Sequence, residues 1–231
     1  EPTTNGIGSD AFALVWSNGQ LHGLNASRRA PKALASSRFE GMKEMPRKGW
    51  DPITVPGCVS GWVEMSKKFG KLPFAKLFEP AIMWAKEGFP VAPQTAGLWR
   101  RAQNAYKDFP EFGRVFLPDA KAPSPGQIVK LPLHAETLQE IAHSKGESFY
   151  RGDLAMKIDA AAKADGATEG LTFNDLAAHG ADWVEPIFMD YRGLRLHEIP
   201  PNGQGLAALM THGMLSHFKL GDMQPDCPDV I

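Results

Sequence analysis

The dipeptide Asn18-Gly19 is the feature that most constrains the fold, because it lies between two short apolar runs. These runs are AFALVW (Ala11 to Trp16) and LHGLNA (Leu21 to Ala26). A two-residue hairpin turn needs positive φ at both central residues, and asparagine and glycine accept it most readily. The sequence therefore predicts that the chain begins as an antiparallel β-hairpin inside a sheet.

Strand-like sequence returns in the last third of the chain. Trp183 to Met189 and Tyr191 to Ile199 are rich in β-forming residues, and they are joined at Asp190 or at Arg192-Gly193. A stretch rich in proline and glycine then predicts a turn into a helix from about Leu206 to His217.

The sequence between these regions is helical. Trp62, Met65 and Phe69 recur at helical spacing, and a second helix carries Trp84 and ends at Gly88. Large apolar side chains at this spacing are typical of a core face. We therefore expect Trp62 and Trp84 to be buried.

Two more helices are predicted from about Ala135 to Ser144 and from about Gly152 to Ala164. Thr172 followed by Asp175 is typical of a capped helix start. Residues 110 to 132 are rich in proline and glycine, which predicts an extended surface connection. The order of sheet, helices, sheet and helix predicts an α+β fold.

Composition argues against two classes of partner. The chain has 25 Lys and Arg residues against 26 Asp and Glu residues, so it has no excess of positive charge to hold a nucleic acid. Its longest apolar run is about as long as AFALVW, far below the roughly 20 residues that span a bilayer. We expect no nucleic-acid partner and no membrane partner. Cys58 and Cys227 are predicted to be buried thiols.

The residues alone predict no catalytic centre. His212 and His217 are five residues apart, which does not place both imidazoles on one helix face as metal ligands. The segment GCVSG (Gly57 to Gly61) has Cys58 and Ser60 in the wrong register for a nucleophile elbow. It is interpreted as a tight connection into the Trp62 helix. We therefore expect no metal, no cofactor and no catalytic residue in this chain.

The two ends of the chain suggest a piece of a longer protein. The sequence opens at Glu1-Pro2 and closes on DCPDVI, in which Pro228 suits the first position of a helix. We expect residues 1–231 to form a single incomplete domain.

Eight segments follow one another along nearly the whole chain. They are GIGSDAFALVW (Gly6 to Trp16), VPGCVSGWVEM (Val55 to Met65), FGKLPFAKLFEPAIMWAKEGFPV (Phe69 to Val91), FLPD (Phe116 to Asp119), FYRGDLA (Phe149 to Ala155), LTFNDLAAH (Leu171 to His179), YRGLRLHEIPPNGQG (Tyr191 to Gly205) and the closing PDVI. In this order they resemble the large subunit of the γ-glutamyltransferases.

This resemblance implies an N-terminal-nucleophile hydrolase. Its proenzyme cleaves itself before a threonine, whose hydroxyl attacks an amide carbonyl while its own α-amine acts as the base. The family fold is an αββα sandwich, in which this chain would supply strands from both ends and a helical middle as the outer layer. The catalytic threonine and the small subunit lie beyond this chain. We therefore expect the chain alone to be inactive, with the small subunit of the same proenzyme as its partner and a small-molecule amide as substrate.

The resemblance also points to a substrate-binding segment, Asn25-Ala26-Ser27-Arg28-Arg29-Ala30-Pro31. Classical members carry Asp-Phe-Arg-Glu-x-Ala-Pro here, and their arginine grips the α-carboxylate of the γ-glutamyl donor. Alignment on Ala30-Pro31 places Ser27 at the position of that arginine. The predicted substrate-binding residues are Arg29, Arg28, Ser27 and Asn25. Arg29 or Arg28 is an alternative anion site, and plain solvent exposure of both arginines is an equal alternative.

The sequence is therefore consistent with three alternative functions. The first is γ-glutamyl transfer or hydrolysis. The second is an acylase or a small-amide amidohydrolase of the same family, which the missing arginine favours. The third belongs to another class, a non-catalytic structural or binding fragment.

Overall fold

A computed structural model of the chain describes residues 6–27, 29–167 and 169–223. These residues form two compact units. The strand unit consists of residues 10–27 and 180–223, and the helical unit consists of residues 6–9, 29–167 and 169–179.

The strand unit contains the hairpin that Asn18-Gly19 predicts. Strands β1 (Ala11–Ser17) and β2 (Gln20–Ala26) pair antiparallel, with Ser17 opposite Gln20. The turn residues Asn18 and Gly19 have φ values of 51° and 79°, as a two-residue primed turn requires. The short strand β5 (Asp182–Val184) pairs with the other edge of β2, giving the order β1-β2-β5. The hairpin is therefore confirmed, and strands from the two ends of the chain share one sheet.

A second hairpin follows in the same unit. Strands β6 (Ile187–Tyr191) and β7 (Leu194–Glu198) pair antiparallel through a turn at Arg192-Gly193, one of the two predicted joints. The segment from Trp183 to Met189 is β-rich as predicted, and it is divided between β5 and β6. Pro186 lies at the division, and proline has no N–H to continue a ladder.

The last helix of the strand unit is α9 (Gly205–Leu215), slightly shorter than the predicted Leu206 to His217. Within the described residues, Leu209 is its buried side chain, whereas Leu206, Met210 and Met214 are exposed. The apolar surface of this helix is therefore mostly uncovered in the chain alone.

The helical unit holds eight helices and a two-stranded sheet among its described residues. The helices are α1 (Cys58–Phe69), α2 (Glu79–Glu87), α3 (Pro93–Ala105), α4 (Pro110–Phe116), α5 (Pro132–Ser144), α6 (Glu147–Arg151), α7 (Asp153–Ala164) and α8 (Phe173–Ala177), and the strands are β3 (Phe89–Pro90) and β4 (Ile128–Val129). Helices α1, α2, α5, α7 and α8 are those that the sequence predicts. No helix among the residues described is long and apolar enough to cross a membrane.

One core cluster of the helical unit lies around α1 and α5. Val59 and Ile141 are fully buried there, and Trp62 packs against the cluster with its ring 5.8 Å from that of Phe78. Cys58 is also buried, as predicted, whereas Cys227 lies outside the described residues. Trp62 is partly buried, so it packs against the core as predicted but is not fully enclosed.

The second core cluster contains a different tryptophan from the one that the sequence predicts. Trp99 on α3 is 1% exposed, and its indole Nε1 donates a hydrogen bond of 2.7 Å to the carbonyl of Phe116. Trp84 is 50% exposed, so its predicted burial is wrong. On helix α2, Ile82 and Ala85 face the core. Trp84 comes two positions after Ile82 and therefore lies on the opposite side of the helix from it.

The predicted extended connection over residues 110 to 132 is wrong in its first part. Residues Pro110–Phe116 form α4, with Pro110 in the first turn, where proline is tolerated. The rings of Phe112 and Phe116 lie 5.3 Å apart, and Phe116 meets Trp99 at 6.3 Å. This aromatic contact stabilises α4, a helix that the proline and glycine content of the segment did not predict.

These burials predict opposite outcomes for two tryptophan substitutions. Trp99→Ala removes a fully buried ring, so we expect the free energy of unfolding to fall by about 3–5 kcal/mol. Trp84→Ala removes a half-exposed ring and should cost clearly less. Urea denaturation of the whole protein measures both. A larger loss for Trp84→Ala than for Trp99→Ala would contradict this assignment of the core.

Candidate substrate-binding site

Two of the predicted substrate-binding residues lie at the end of β2. Asn25 is opposite Phe12 on one side and Asp182 on the other, so three strands hold its backbone. The backbone N–H of Ser27 donates a 2.9 Å hydrogen bond to Asn25 Oδ1. The side chain of Asn25 and the backbone of Ser27 are therefore fixed relative to each other.

A third residue, Asn202, completes a polar cluster with Asn25 and Ser27. Asn202 Oδ1 accepts hydrogen bonds from Ser27 Oγ at 2.9 Å and from Asn25 Nδ2 at 3.2 Å. None of the three side chains carries a charge. We call this group, Asn25, Ser27 and Asn202, the amide cluster.

The loop between β7 and α9 places Asn202 in the amide cluster. It is held tightly at Gly205, where a Cβ atom would lie 2.7 Å from the carbonyl oxygen of Ile199 and 2.8 Å from Glu198 Cβ. A side chain at this position would force the loop outwards. Sequence reasoning identified this stretch as a turn but missed Asn202, and an asparagine at a strand-to-helix turn is the signal that was available.

Arg29, one of the two predicted arginines, does not belong to the amide cluster. Arg28 lies outside the described residues. Arg29 is exposed and lies in the helical unit, where its carbonyl accepts a 3.0 Å hydrogen bond from Val55 N. The structure thus brings together Ser27 and Asn25 and places Arg29 in the other unit.

A partly buried carboxylate, that of Asp175, holds the segment that follows Arg29. Lys32 N donates a 2.9 Å hydrogen bond to Asp175 Oδ1, and Thr172 N and Oγ1 donate to Asp175 Oδ2 at 3.0 Å and 2.6 Å. Thr172 and Asp175 form the capping box that the sequence predicts at the start of α8. Partial burial raises the pKa of Asp175, but the hydrogen bonds from Thr172 and Lys32 outweigh it, so the pKa lies below its ordinary value.

The segment GCVSG is the first turn of α1, with Gly57 before it, rather than a loop leading into the helix. Ser60 and His179 are 8% and 5% exposed, and Ser60 Oγ lies 3.1 Å from His179 Nε2. Ser60 Oγ donates to the carbonyl of Gly57 at 2.7 Å, so its hydrogen is already engaged. Tyr150 closes this network, and burial raises the pKa of its hydroxyl to about 12. The serine–histidine pair is therefore part of the core.

No candidate metal-binding site is present among the described residues. Over residues 6–27, 29–167 and 169–223, no three His, Cys, Asp or Glu side chains come together in a group that could hold a metal ion.

Comparison with known proteins identifies similar sequences and folds. A family profile described as gamma-glutamyltranspeptidase matches residues 1–231. The chain is 32% identical over 226 residues to the "Glutathione hydrolase-like YwrD proenzyme" of Bacillus subtilis, covering 96% of this chain and 43% of that protein. It is 32% identical over 228 residues to the "Oxamate amidohydrolase proenzyme" of Klebsiella pneumoniae, again covering 96% and 43%.

A solved structure shares the fold. The cephalosporin acylase from Bacillus halodurans superposes with a TM-score of 0.91 at 46% sequence identity, covering 99% of this chain and 44% of that chain. This chain therefore spans less than half the length of each of these three proteins.

The Asp175 contacts predict a pH-dependent stability. A carboxylate with a lowered pKa stabilises the folded state above its unfolded pKa of about 3.9, and this contribution is lost as the pH falls through the folded value. At pH 7 we expect Asp175→Asn to lower the free energy of unfolding by about 1–3 kcal/mol, because charge-assisted hydrogen bonds are weakened. The difference from wild type should shrink below about pH 4.

Urea denaturation across this pH range measures the effect. The matched control is Asp153→Asn, since Asp153 is exposed in the first turn of α7. An equal loss for both variants at pH 7 would show that Asp175 has no special role.

Proposed function

The chain belongs to the gamma-glutamyltranspeptidase family, and from this premise we propose that it is the large-subunit part of a self-processing, amide-cleaving N-terminal-nucleophile hydrolase. The nucleophile would be a threonine at the start of a small subunit cut from the same proenzyme. Its hydroxyl oxygen would form an ester with the acyl group, and the amine would leave with a proton. Water or a second amine would then release the acyl group. The chain alone would be inactive.

The amide cluster is the observation that carries the proposed acyl preference. An arginine recognises a carboxylate through two charge-assisted hydrogen bonds from a planar fork, which a serine hydroxyl cannot reproduce. Ser27 is instead engaged with Asn202 in an uncharged group. We therefore propose an acyl group without an α-carboxylate, as expected of an acylase or a small-amide hydrolase. The name of the acylase relative agrees with an acylase, whereas the oxamate named for the amidohydrolase relative carries a carboxylate next to its amide carbonyl.

γ-Glutamyl transfer is the second candidate, and Arg29 is the observation that favours it. Its side chain is exposed, and its backbone is held by Val55 while Asp175 holds the nearby Lys32. A fixed backbone beneath an exposed guanidinium is a suitable arrangement for binding a carboxylate. Arg28 could share this role on the basis of the sequence alone.

The apolar face of β1 supports the proposed partner. Phe12, Leu14 and Trp16 alternate along one face of this strand and are 43%, 39% and 69% exposed. β1 is also an edge of its sheet, so in the described structure one side of its backbone is unpaired. Apolar edge strands are normally covered. A small subunit that adds strands to this sheet would cover both the edge and the face.

The partner proposal predicts the effect of Leu14→Glu. A carboxylate on this face would be buried without a partner in the assembled enzyme, so we expect at least about a tenfold loss of mature heterodimer. Size-exclusion chromatography and gel analysis of the expressed whole protein measure the amount of paired subunits. Leu72→Glu is the control, since Leu72 is exposed in the helical unit. Equal yields of heterodimer from both variants would argue against this surface.

The acyl preference predicts the effect of Ser27→Arg. We expect kcat/KM on a γ-glutamyl anilide, relative to a matched anilide without the α-carboxylate, to rise about tenfold or more, because an arginine adds charge-assisted bonds. Arg29→Ala should leave this ratio unchanged if the amide cluster sets the preference.

Two results would favour other functions. A wild type that already prefers the γ-glutamyl substrate and loses this preference in Arg29→Ala would support the second candidate. A whole protein that neither processes itself nor cleaves any amide would support a non-catalytic fragment.

A further inference from the structure

The hydrogen bonds of the amide cluster have one consistent set of directions. The backbone N–H of Ser27 can only donate, so the Asn25 atom that it meets must be the carbonyl oxygen Oδ1. The other atom of this amide, Nδ2, is then the one that meets Asn202. Because Nδ2 is a donor, Asn202 must present its own carbonyl oxygen there. A backbone group thus fixes the orientation of both asparagines.

This orientation determines which groups the amide cluster offers to a ligand. Asn202 Oδ1 accepts from both Ser27 and Asn25, so its Nδ2 group points away from them with two N–H donors. Asn25 Nδ2 keeps one further N–H, and Ser27 Oγ keeps its acceptor capacity because its hydrogen is donated to Asn202. Within the described residues, the groups left without a partner are mostly neutral donors, and Asn202 is exposed.

The surroundings of the amide cluster are apolar on one side and acidic on another. Phe12 is the cross-strand neighbour of Asn25 on β1 and is 43% exposed. Asp182 is the neighbour on β5, and cross-strand neighbours share a face of the sheet. A Cβ atom at Gly205 would lie 2.9 Å from Glu198 Oε2, so a second acid lies along the Asn202 loop.

We propose that Asn202 is a substrate-binding residue that recognises a neutral carbonyl group, such as a carboxamide, on the acyl part of the substrate. This inference rests on the proposed amide-cleaving function. The carbonyl oxygen accepts from Asn202 Nδ2, the NH₂ of the carboxamide donates to Ser27 Oγ, and the hydrocarbon of the acyl chain lies against Phe12. The neutral donors offer a carboxylate no opposite charge, and an ammonium group cannot accept from the exposed donors.

Asn202→Asp separates recognition of substrate from positioning of the cluster. An aspartate keeps an oxygen that accepts from Ser27 and Asn25, so the internal bonds survive. Its second oxygen replaces the outward NH₂ group by a negative acceptor, which repels a carbonyl oxygen. A merely structural Asn202 would tolerate this change. Asn202→Ala removes both functions, and Gln204→Ala is the matched control, because Gln204 is an exposed amide in the same loop.

The test uses three 4-nitroanilides whose acyl chains have the same length and differ at the far end. They are the anilides of glutaramic acid, with a carboxamide, of glutaric acid, with a carboxylate, and of pentanoic acid, with a methyl group. The whole processed enzyme is assayed for release of nitroaniline, and thermal unfolding of each variant confirms that it is folded.

We expect the wild type to prefer the glutaramoyl anilide. Asn202→Asp should raise KM for this substrate about tenfold or more, with kcat within about threefold and with little change on the pentanoyl anilide. Asn202→Ala should also raise KM for the glutaramoyl anilide, and Gln204→Ala should match the wild type.

Two contrary results are distinguishable. If the wild type cleaves the anilides but prefers the carboxylate, or if Asn202→Asp and Asn202→Ala both behave like Gln204→Ala, the role of Asn202 is overturned and the amide-cleaving function stands. If the processed wild type cleaves neither these anilides nor γ-glutamyl anilides, both proposals fall together.

Discussion

The position of β2 between β1 and β5 is the constraint on which the candidate site depends. The Asn18-Gly19 turn sets the register in which Asn25 lies opposite Phe12, and β5 sets the register in which it lies opposite Asp182. A slip of one residue in a strand moves every side chain to the other face of the sheet. A slip of β2 would turn Asn25 away from Asn202. A slip of β1 would exchange its exposed and covered faces. The two-residue turn therefore controls the geometry of the site as well as the start of the fold.

Features that depend on a few adjacent residues are predictable from the sequence. The two primed turns, the capping box of Thr172 and Asp175, and the end of α2 at Gly88 all arise from local backbone preferences. The αββα class of the N-terminal-nucleophile hydrolases, expected from the family resemblance, is confirmed by the match to the acylase structure. Burial was harder to predict, because Trp84 and Trp99 both lie on amphipathic helices. Which tryptophan is buried depends on packing against Phe116, a contact between helices that periodicity does not contain.

The candidate site also combines residues that the sequence predicts with one that it does not. Asn25 and Ser27 are two residues apart, and their alignment with a family motif was visible in the sequence. Asn202 is 175 residues from Ser27, and it reaches Ser27 because β5 joins β2 and the β7–α9 loop is drawn in at Gly205. No spacing rule predicts such a contact. The exposure of the apolar face of β1 was also not predictable. The alternation in AFALVW shows that the strand has two faces, but it does not show which of them the chain itself covers.

The amide cluster also bears on how acyl specificity can change in an enzyme of this type. In the proposed enzyme the nucleophile and its base reside in another subunit, so the groups that choose the acyl chain are chemically separate from the groups that break the bond. In that enzyme, replacing one arginine by an uncharged network would change the preferred acyl group without altering the acyl transfer step. Neutral hydrogen bonds contribute less than charge-assisted ones, so the acyl chain must gain more of its binding free energy from apolar contact. Phe12 lies next to Asn25 on the sheet face that the small subunit is proposed to cover, and closing that face would exclude water from both contacts. Subunit assembly and acyl recognition would then depend on the same strand.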